Sequence, residues 1–174
     1  MLTVYAIEIK DSRLKHNTAY SHLKQVLAMN NLPESLLQNM KRTCGGKLTA
    51  GAYYINITYA DNYAFMMVTK QKYGIDAERV KPQDSHVKLL LSIILSMTLS
   101  NDFDFYKAWT AMESEVKYYG DKGLFDAFTG NIEKNPSLQT IHLMYEGNMI
   151  AITSTKNNLE AQEVLFKKCQ DEKV

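Results

Sequence analysis

Four side chains stand at spacings that could do chemistry together. Asp76 and Glu78 lie two apart in Tyr73-Gly74-Ile75-Asp76-Ala77-Glu78-Arg79-Val80. That stretch reads as a short strand, where residues two apart share a face. Trp109, Glu113 and Lys117 lie four apart in a stretch that reads as a helix, which places them along one stripe. A helix packed over the strand end would draw three carboxylates and one ammonium together. Hard oxygen ligands with open positions suit Mg²⁺, which keeps several waters and takes phosphate oxygens from a substrate. A lysine beside them can neutralise charge on a phosphate group. Taken singly, the same residues are ordinary: Glu113 and Lys117 form a helix pair worth about 0.2–0.5 kcal/mol, and Asp76 and Glu78 are strand-end carboxylates.

The elements that must position them can be read along the chain. Leu2 to Ile9 is rich in β-branched and aromatic residues and reads as a strand. A helix follows to Met29, starting near Asp11 or Ser12, or near Asn17 or Thr18. Pro33 to Met40 is predicted as a second short helix and Gly45-Gly46-Lys47 as a loop. Tyr53–Thr58 and Tyr63–Lys70 read as a hairpin around Ala60-Asp61-Asn62. After the acidic strand, Pro82 stops the pattern and Asp84 or Ser85 caps an apolar helix to Leu99. Lys88, Ser92 and Ser96 mark a narrow polar stripe on that helix, which predicts that most of it is buried. The Trp109 helix ends near Gly120, and residues 123 to 132 read as a loop. Leu138–Tyr145 and Asn148–Thr153 form a second hairpin around Glu146-Gly147. Residues 158 to 171 are predicted as a terminal helix with Leu159, Val164, Leu165 and Cys169 inward.

Composition narrows the class. The chain has 174 residues and a formal net charge of +1, so no global field points to nucleic acid or to an acidic membrane. Cys44 and Cys169 lie far apart without metal-type spacing, as expected of free thiols in a reducing compartment. The N-terminus lacks a secretory pattern, and the most apolar run, Val87 to Leu99, is too short to span a bilayer. A cytoplasmic protein without a membrane segment is expected.

The chain also suggests an internal repeat. Segments 55–70 and 141–156 align without gaps and share Ile55/Ile141, Tyr59/Tyr145, Asn62/Asn148, Thr69/Thr155 and Lys70/Lys156. The order of elements agrees as well. The expected fold is α+β: two similar α+β halves, 1–71 and 72–174, related by a pseudo-two-fold axis. A cleft between such halves is a natural ligand site.

Gly74-Ile75-Asp76-Ala77-Glu78, then Trp109 with Glu113-Ser114 and Lys117, then Lys122-Gly123-Leu124, resembles the 4′-phosphopantetheinyl transferase superfamily. The closer likeness is to its two-domain members, which prime peptide synthetase carrier domains. The motifs cover residues 73 to 124, and the superfamily's pseudo-symmetry matches the repeat. The resemblance implies Asp76, Glu78 and Glu113 as Mg²⁺ ligands. It implies Glu113 as general base and Lys117 as the contact to the coenzyme A phosphates. Trp109 would be a packing residue. Gly46-Lys47 is similar to the loop that lies against the adenine, with Leu48 in place of a proline. Asn56-Ile57-Thr58-Tyr59-Ala60 is similar to the strand whose serine and histidine grip the phosphates, which gives Thr58 and Tyr59 as coenzyme A contacts.

The departures fall on the nucleotide side. Tyr59 stands where the superfamily has a histidine, and it carries no charge at neutral pH. The basic residues that hold the 3′-phosphate have as candidates only Arg13, Lys15, Lys41 and Arg42. The implied activity is Mg²⁺-dependent transfer of the phosphopantetheine arm of coenzyme A to a serine of an acyl or peptidyl carrier protein. That partner would dock near residues 85–99 and Lys122, and the chain would act as a monomer. The alternatives are a non-catalytic homologue that binds coenzyme A or a carrier, and an unrelated Mg²⁺-dependent phosphoesterase.

Overall fold

The computed structural model describes residues 1–11, 13, 15–42, 48–132, 135–160 and 162–169, with nothing described of the Lys15 side chain. The chain is mixed α+β with two sheets. The larger has the order β2-β3-β4-β5-β1-β9 and the smaller β6-β8-β7. The strands are β1 (Leu2–Glu8), β2 (Met40–Arg42), β3 (Leu48–Ala50), β4 (Tyr53–Ala60), β5 (Tyr63–Thr69), β6 (Gly74–Arg79), β7 (Leu138–Tyr145), β8 (Asn148–Thr155) and β9 (Val164–Cys169). The helices are α1 (Lys15–Met29), α2 (Ser85–Leu95), α3 (Asp102–Tyr119), α4 (Leu124–Phe128) and α5 (Lys156–Glu160), with a 3₁₀ segment at Glu34–Asn39.

Strand alternation builds four layers. Val4 and Ala6 of β1 and Phe65 and Met67 of β5 face one way. They meet Ile75 and Ala77 of β6 and Ile150 and Ile152 of β8 in a core between the sheets. The other face of the large sheet, with Tyr5, Ile7 and Met66, packs on Leu23, Val26 and Leu27 of α1. The outer face of the small sheet carries α3. Both sheets are thus covered on two faces, as a layered sandwich requires.

Several expectations need correction. The predicted terminal helix is instead short α5 followed by β9, which pairs in parallel with β1 from Leu2↔Val164 to Ile7↔Cys169. Val164 and Phe166 pack toward the inter-sheet core and Cys169 toward α1, which is the period of a strand. The edge of β1 supplies the hydrogen-bond partners that make a strand the better solution. Residues 124–128 form α4, where Asp126 caps the backbone N–H of Gly123 at 2.8 Å.

The apolar helix is not core. It stops at Leu95, where Ser96 turns left-handed at φ 51°. Only Leu91 is buried, while Leu89, Leu90 and Ile93 are 59%, 58% and 67% exposed. The Leu91 side of the helix packs in one cluster with α3 and α4, and several apolar residues lie beyond it. The short β2 and β3 were not predicted; they pair antiparallel, Arg42 opposite Leu48, and the loop expected at Gly45-Gly46-Lys47 lies outside the described residues.

Both hairpins form, but their two-residue turns are Asp61-Asn62 and Glu146-Gly147. That is one residue off the gap-free match of Asn62 with Asn148. A slip of one residue exchanges the faces of a strand, so the sequence match is not the structural equivalence. Among the described residues no helix is long and apolar enough to cross a membrane.

Candidate functional site

Gly74 makes the site possible. Gly74, Asp76 and Glu78 share the outer face of β6, over which α3 lies. A Cβ at Gly74 would stand 1.8 Å from the Ser114 carbonyl oxygen and 2.5 Å from the Tyr118 nitrogen. Only glycine admits α3 at this depth. The contact is fixed from the far side by Ser114 Oγ, 2.6 Å from Thr153 Oγ1 of β8, which lies 2.7 Å from Thr140 Oγ1 of β7. Asn101 caps α3 by accepting from the Asp104 N–H, and Gly120 ends it in a left-handed conformation.

This packing brings Glu113 and Lys117 onto Asp76. Lys117 Nζ donates to Asp76 Oδ1 at 2.5 Å and to Thr58 Oγ1 at 3.2 Å. Thr58 Oγ1 donates to the same Asp76 oxygen at 3.0 Å. Glu113 lies one turn before Lys117, its oxygen 4.0 Å from Nζ. Asp76 is 2% exposed, and its Oδ2 has no hydrogen-bond partner. An unsatisfied buried carboxylate oxygen is costly. The carboxylates feel one another. Burial, then the charge of Asp76, pushes Glu113 up to about 7, against the pull of Lys117. Burial, then Asp76, likewise raises Glu78.

The structure therefore brings Asp76, Glu78, Glu113, Lys117 and Thr58 together. It does not gather them into a finished metal centre: among the described residues no three His, Cys, Asp or Glu side chains are placed to hold one ion. The cation at Asp76 is the Lys117 ammonium. The donor set still suits a hard divalent ion, because it consists of carboxylate oxygens and includes the unpartnered Asp76 Oδ2.

Beside this cluster opens a cavity of about 330 Å³, with Lys117 and Ile75 in its lining. Its other walls include Tyr59, Asn56 and Ile57 of β4, His16 and Tyr20 of α1, and Arg42 of β2. The Tyr59 hydroxyl lies 3.1 Å from His16 Nδ1. Arg42 Nη2 donates to the Tyr20 hydroxyl at 3.2 Å. Of the candidate phosphate-holding residues, Arg42 reaches the cavity. Arg13 is instead held by Asp11 through Nε at 3.0 Å and Nη2 at 2.8 Å. Lys41 is exposed. Lys47 lies outside the described residues, as does the side chain of Lys15.

His16, Tyr20 and Asn56 were missed as cavity residues. Asn56 had a signal, since it lies two before Thr58 and shares its strand face. His16 and Tyr20 had none, because only the packing of α1 on the sheet brings them to β4. Trp109 packs in the α2–α3–α4 cluster, its ring 6.2 Å from Phe105 and 6.3 Å from Phe128.

No family model matches the chain, and no curated protein matches it.

Proposed function

We propose that this chain transfers the 4′-phosphopantetheine arm of coenzyme A to a serine of a carrier protein, releasing 3′,5′-ADP. One observation carries the reading. The lysine of a carboxylate cluster, paired with buried Asp76, lines a cavity walled by aromatic rings, a histidine and an arginine. A diphosphate carrying Mg²⁺ needs the first kind of surface, and a nucleotide with a further phosphate needs the second. The pseudo-two-fold relation of the two halves belongs to the same proposal.

Asp76, Glu78 and Glu113 would hold Mg²⁺, which when bound supplies charge neutralisation at the diphosphate. The protein's own residues do the rest. Lys117 moves between the carboxylate and the phosphate oxygens and stabilises the departing negative charge. Glu113 accepts the serine proton, directly or through a water. The serine oxygen bonds to phosphorus as the bridging oxygen leaves with 3′,5′-ADP. Thr58 positions Asp76 and Lys117 relative to each other. Catalysis of this kind is mostly positioning and electrostatics.

The rival reading is a non-catalytic homologue. It is favoured by the Lys117–Asp76 ion pair, which fills the cluster with a cation of its own. Titration calorimetry of coenzyme A with and without Mg²⁺, followed by mass spectrometry of a carrier domain, separates the two. Micromolar, Mg²⁺-enhanced binding and a carrier heavier by one phosphopantetheine support transfer. Binding with no mass change supports the rival.

A further inference from the structure

We infer that the free edge of β7 is a self-association surface, where two copies of this chain pair antiparallel about a two-fold axis and join their small sheets into one. The inference stands apart from the transferase reading. β7 and β6 are opposite edges of the small sheet, and the site lies on the β6 side.

The outermost strands are β2 and β9 in the large sheet, β6 and β7 in the small one. An open strand edge is a template for another chain, and proteins blunt it with charge, above all with lysine. β2 carries Lys41 and Arg42, β9 carries Lys167 and Lys168, and β6 carries Asp76, Glu78 and Arg79. β7, from Leu138 to Tyr145, has no acidic residue, lysine, arginine, proline or glycine. Its turn sets which backbone groups it offers. Glu146 and Gly147, both at positive φ, form a two-residue turn that makes Tyr145 and Asn148 a hydrogen-bonded pair. By alternation Ile141 and Leu143 also bond to β8, while Thr140, His142 and Met144 direct their N–H and C=O groups outward. Among the described residues no further strand pairs with that edge. A second copy turned about an axis at His142 offers the same row in reverse, as antiparallel pairing needs.

The side chains are as incomplete as the backbone. No residue of β7 is buried, although its partner β8 is buried at every position but the last. β7 lies over β9, where the Tyr145 and Phe166 rings are 5.0 Å apart. Ile141, Leu143, Tyr145, Val164 and Phe166 of these two strands pack on the inter-sheet core and stay only partly buried. The core is therefore open along the β7–β9 side. Charge and size both favour a second copy as the occupant. An edge that meets itself doubles any charge it carries, and like charges placed opposite are destabilising. β7 is spared this: His142 Nε2 lies on the Lys107 carbonyl at 2.9 Å, and burial holds the imidazole below its ordinary value, hence neutral at pH 7. On β9, Lys168 is matched by Glu8 at 3.1 Å. Residues about 3.4 Å apart along β7 and sheets about 10 Å apart give a side of roughly 27 by 20 Å. That is at the low end of the roughly 800 Å² per partner of a specific interface, which makes the dimer a concentration-dependent one.

The test is sedimentation velocity of the full chain over a concentration series from about 1 to 300 μM, the range that brackets a small interface. Wild type should pass from 19.9 kDa to twice that mass. Met144→Lys sets a charge on each edge, and Met144→Pro removes an outward N–H while leaving the β8 ladder whole. Each change occurs twice in the dimer and should weaken it at least about tenfold. Leu90→Lys, on the exposed face of α2, should leave it unchanged. Amide exchange in wild type gives a second readout. The N–H groups of Thr140, His142 and Met144 should slow between dilute and concentrated protein, and those of Ile141 and Leu143, already bonded to β8, should not change. A wild type that stays at 19.9 kDa throughout overturns the inference. So does a dimer that both Met144 variants leave intact, or one that Leu90→Lys breaks in their place. Outward amides whose exchange ignores concentration overturn it too, and that readout decides if a Met144 variant fails to fold.

Discussion

Gly74 and Asp76 sit in a contact with no slack, whereas His16 and Tyr59 sit on a rim that water reaches. At the first, a strand and a helix approach so closely that one methyl group would collide with backbone. Its polar side chains are locked to one another, and one carboxylate oxygen is left wanting a partner. At the second, the side chains come from α1, β2 and β4, meet through exposed hydrogen bonds, and leave a volume between them. The rigid end suits chemistry, which needs fixed distances. The open end suits binding, which tolerates substitution if charge and hydrogen bonds are supplied from somewhere.

The largest effect should come from removing the close approach. Gly74→Ala forces Ser114 and Tyr118 away, and neither is a flexible side-chain tip. A loss of at least about 3 kcal/mol in chemical denaturation is expected. A loss under 1 kcal/mol would show that α3 can lift without cost, and the rigid end would not be rigid. Next in size is Glu78→Gln. Burial and Asp76 already disfavour the Glu78 charge, so the variant should fold with unchanged or higher stability. Carrier loading should fall by about a hundredfold or more and lose its response to Mg²⁺. An active, Mg²⁺-dependent Glu78→Gln protein would remove that residue from the ligand set.

A third test uses pH. Glu113 in the folded protein is raised to about 7 from an ordinary value of 4.5. Between these values the native state holds more protons than the unfolded chain, so stability falls as pH rises through this window. The penalty is absent below it and full above it. In metal-free buffer the fall should be on the order of 1–3 kcal/mol, and Glu113→Gln should flatten it. A denaturation series in which wild type and Glu113→Gln keep parallel pH profiles would place the strain elsewhere.

The same contrast explains what could be read in advance. Asp76, Glu78, Glu113 and Lys117 belong to two regular elements, and period two and period four put them on common faces before any tertiary contact is known. Most strands were legible for that reason, as was the Glu146-Gly147 turn. The open end was not. His16 reaches β4 only because α1 lies across the large sheet, and Arg42 only because β2 and β3 form. β9 was misread because Val164, Leu165 and Cys169 fit either period, and the free edge of β1 decides for strand. The α2 helix was misread because its apolar residues outnumber what its neighbours α3 and α4 cover. Nothing in a sequence says how much surface is waiting for them.

The smallest predicted effect lies on the rim. Tyr59→Phe removes one hydroxyl and keeps the ring that meets His16 edge to face. The lost hydrogen bond is exposed, so stability should change by less than about 0.5 kcal/mol. Coenzyme A binding should still weaken, by about three- to tenfold, because the imidazole loses the group that orients it. The two numbers are informative together. A large loss of stability would mean that Tyr59 holds α1 against β4 and that the rim is structural, as the Gly74 contact is. Unchanged stability with unchanged binding would mean that His16 orients without help. Unchanged stability with weakened binding is the signature of an end built for a ligand rather than for the fold.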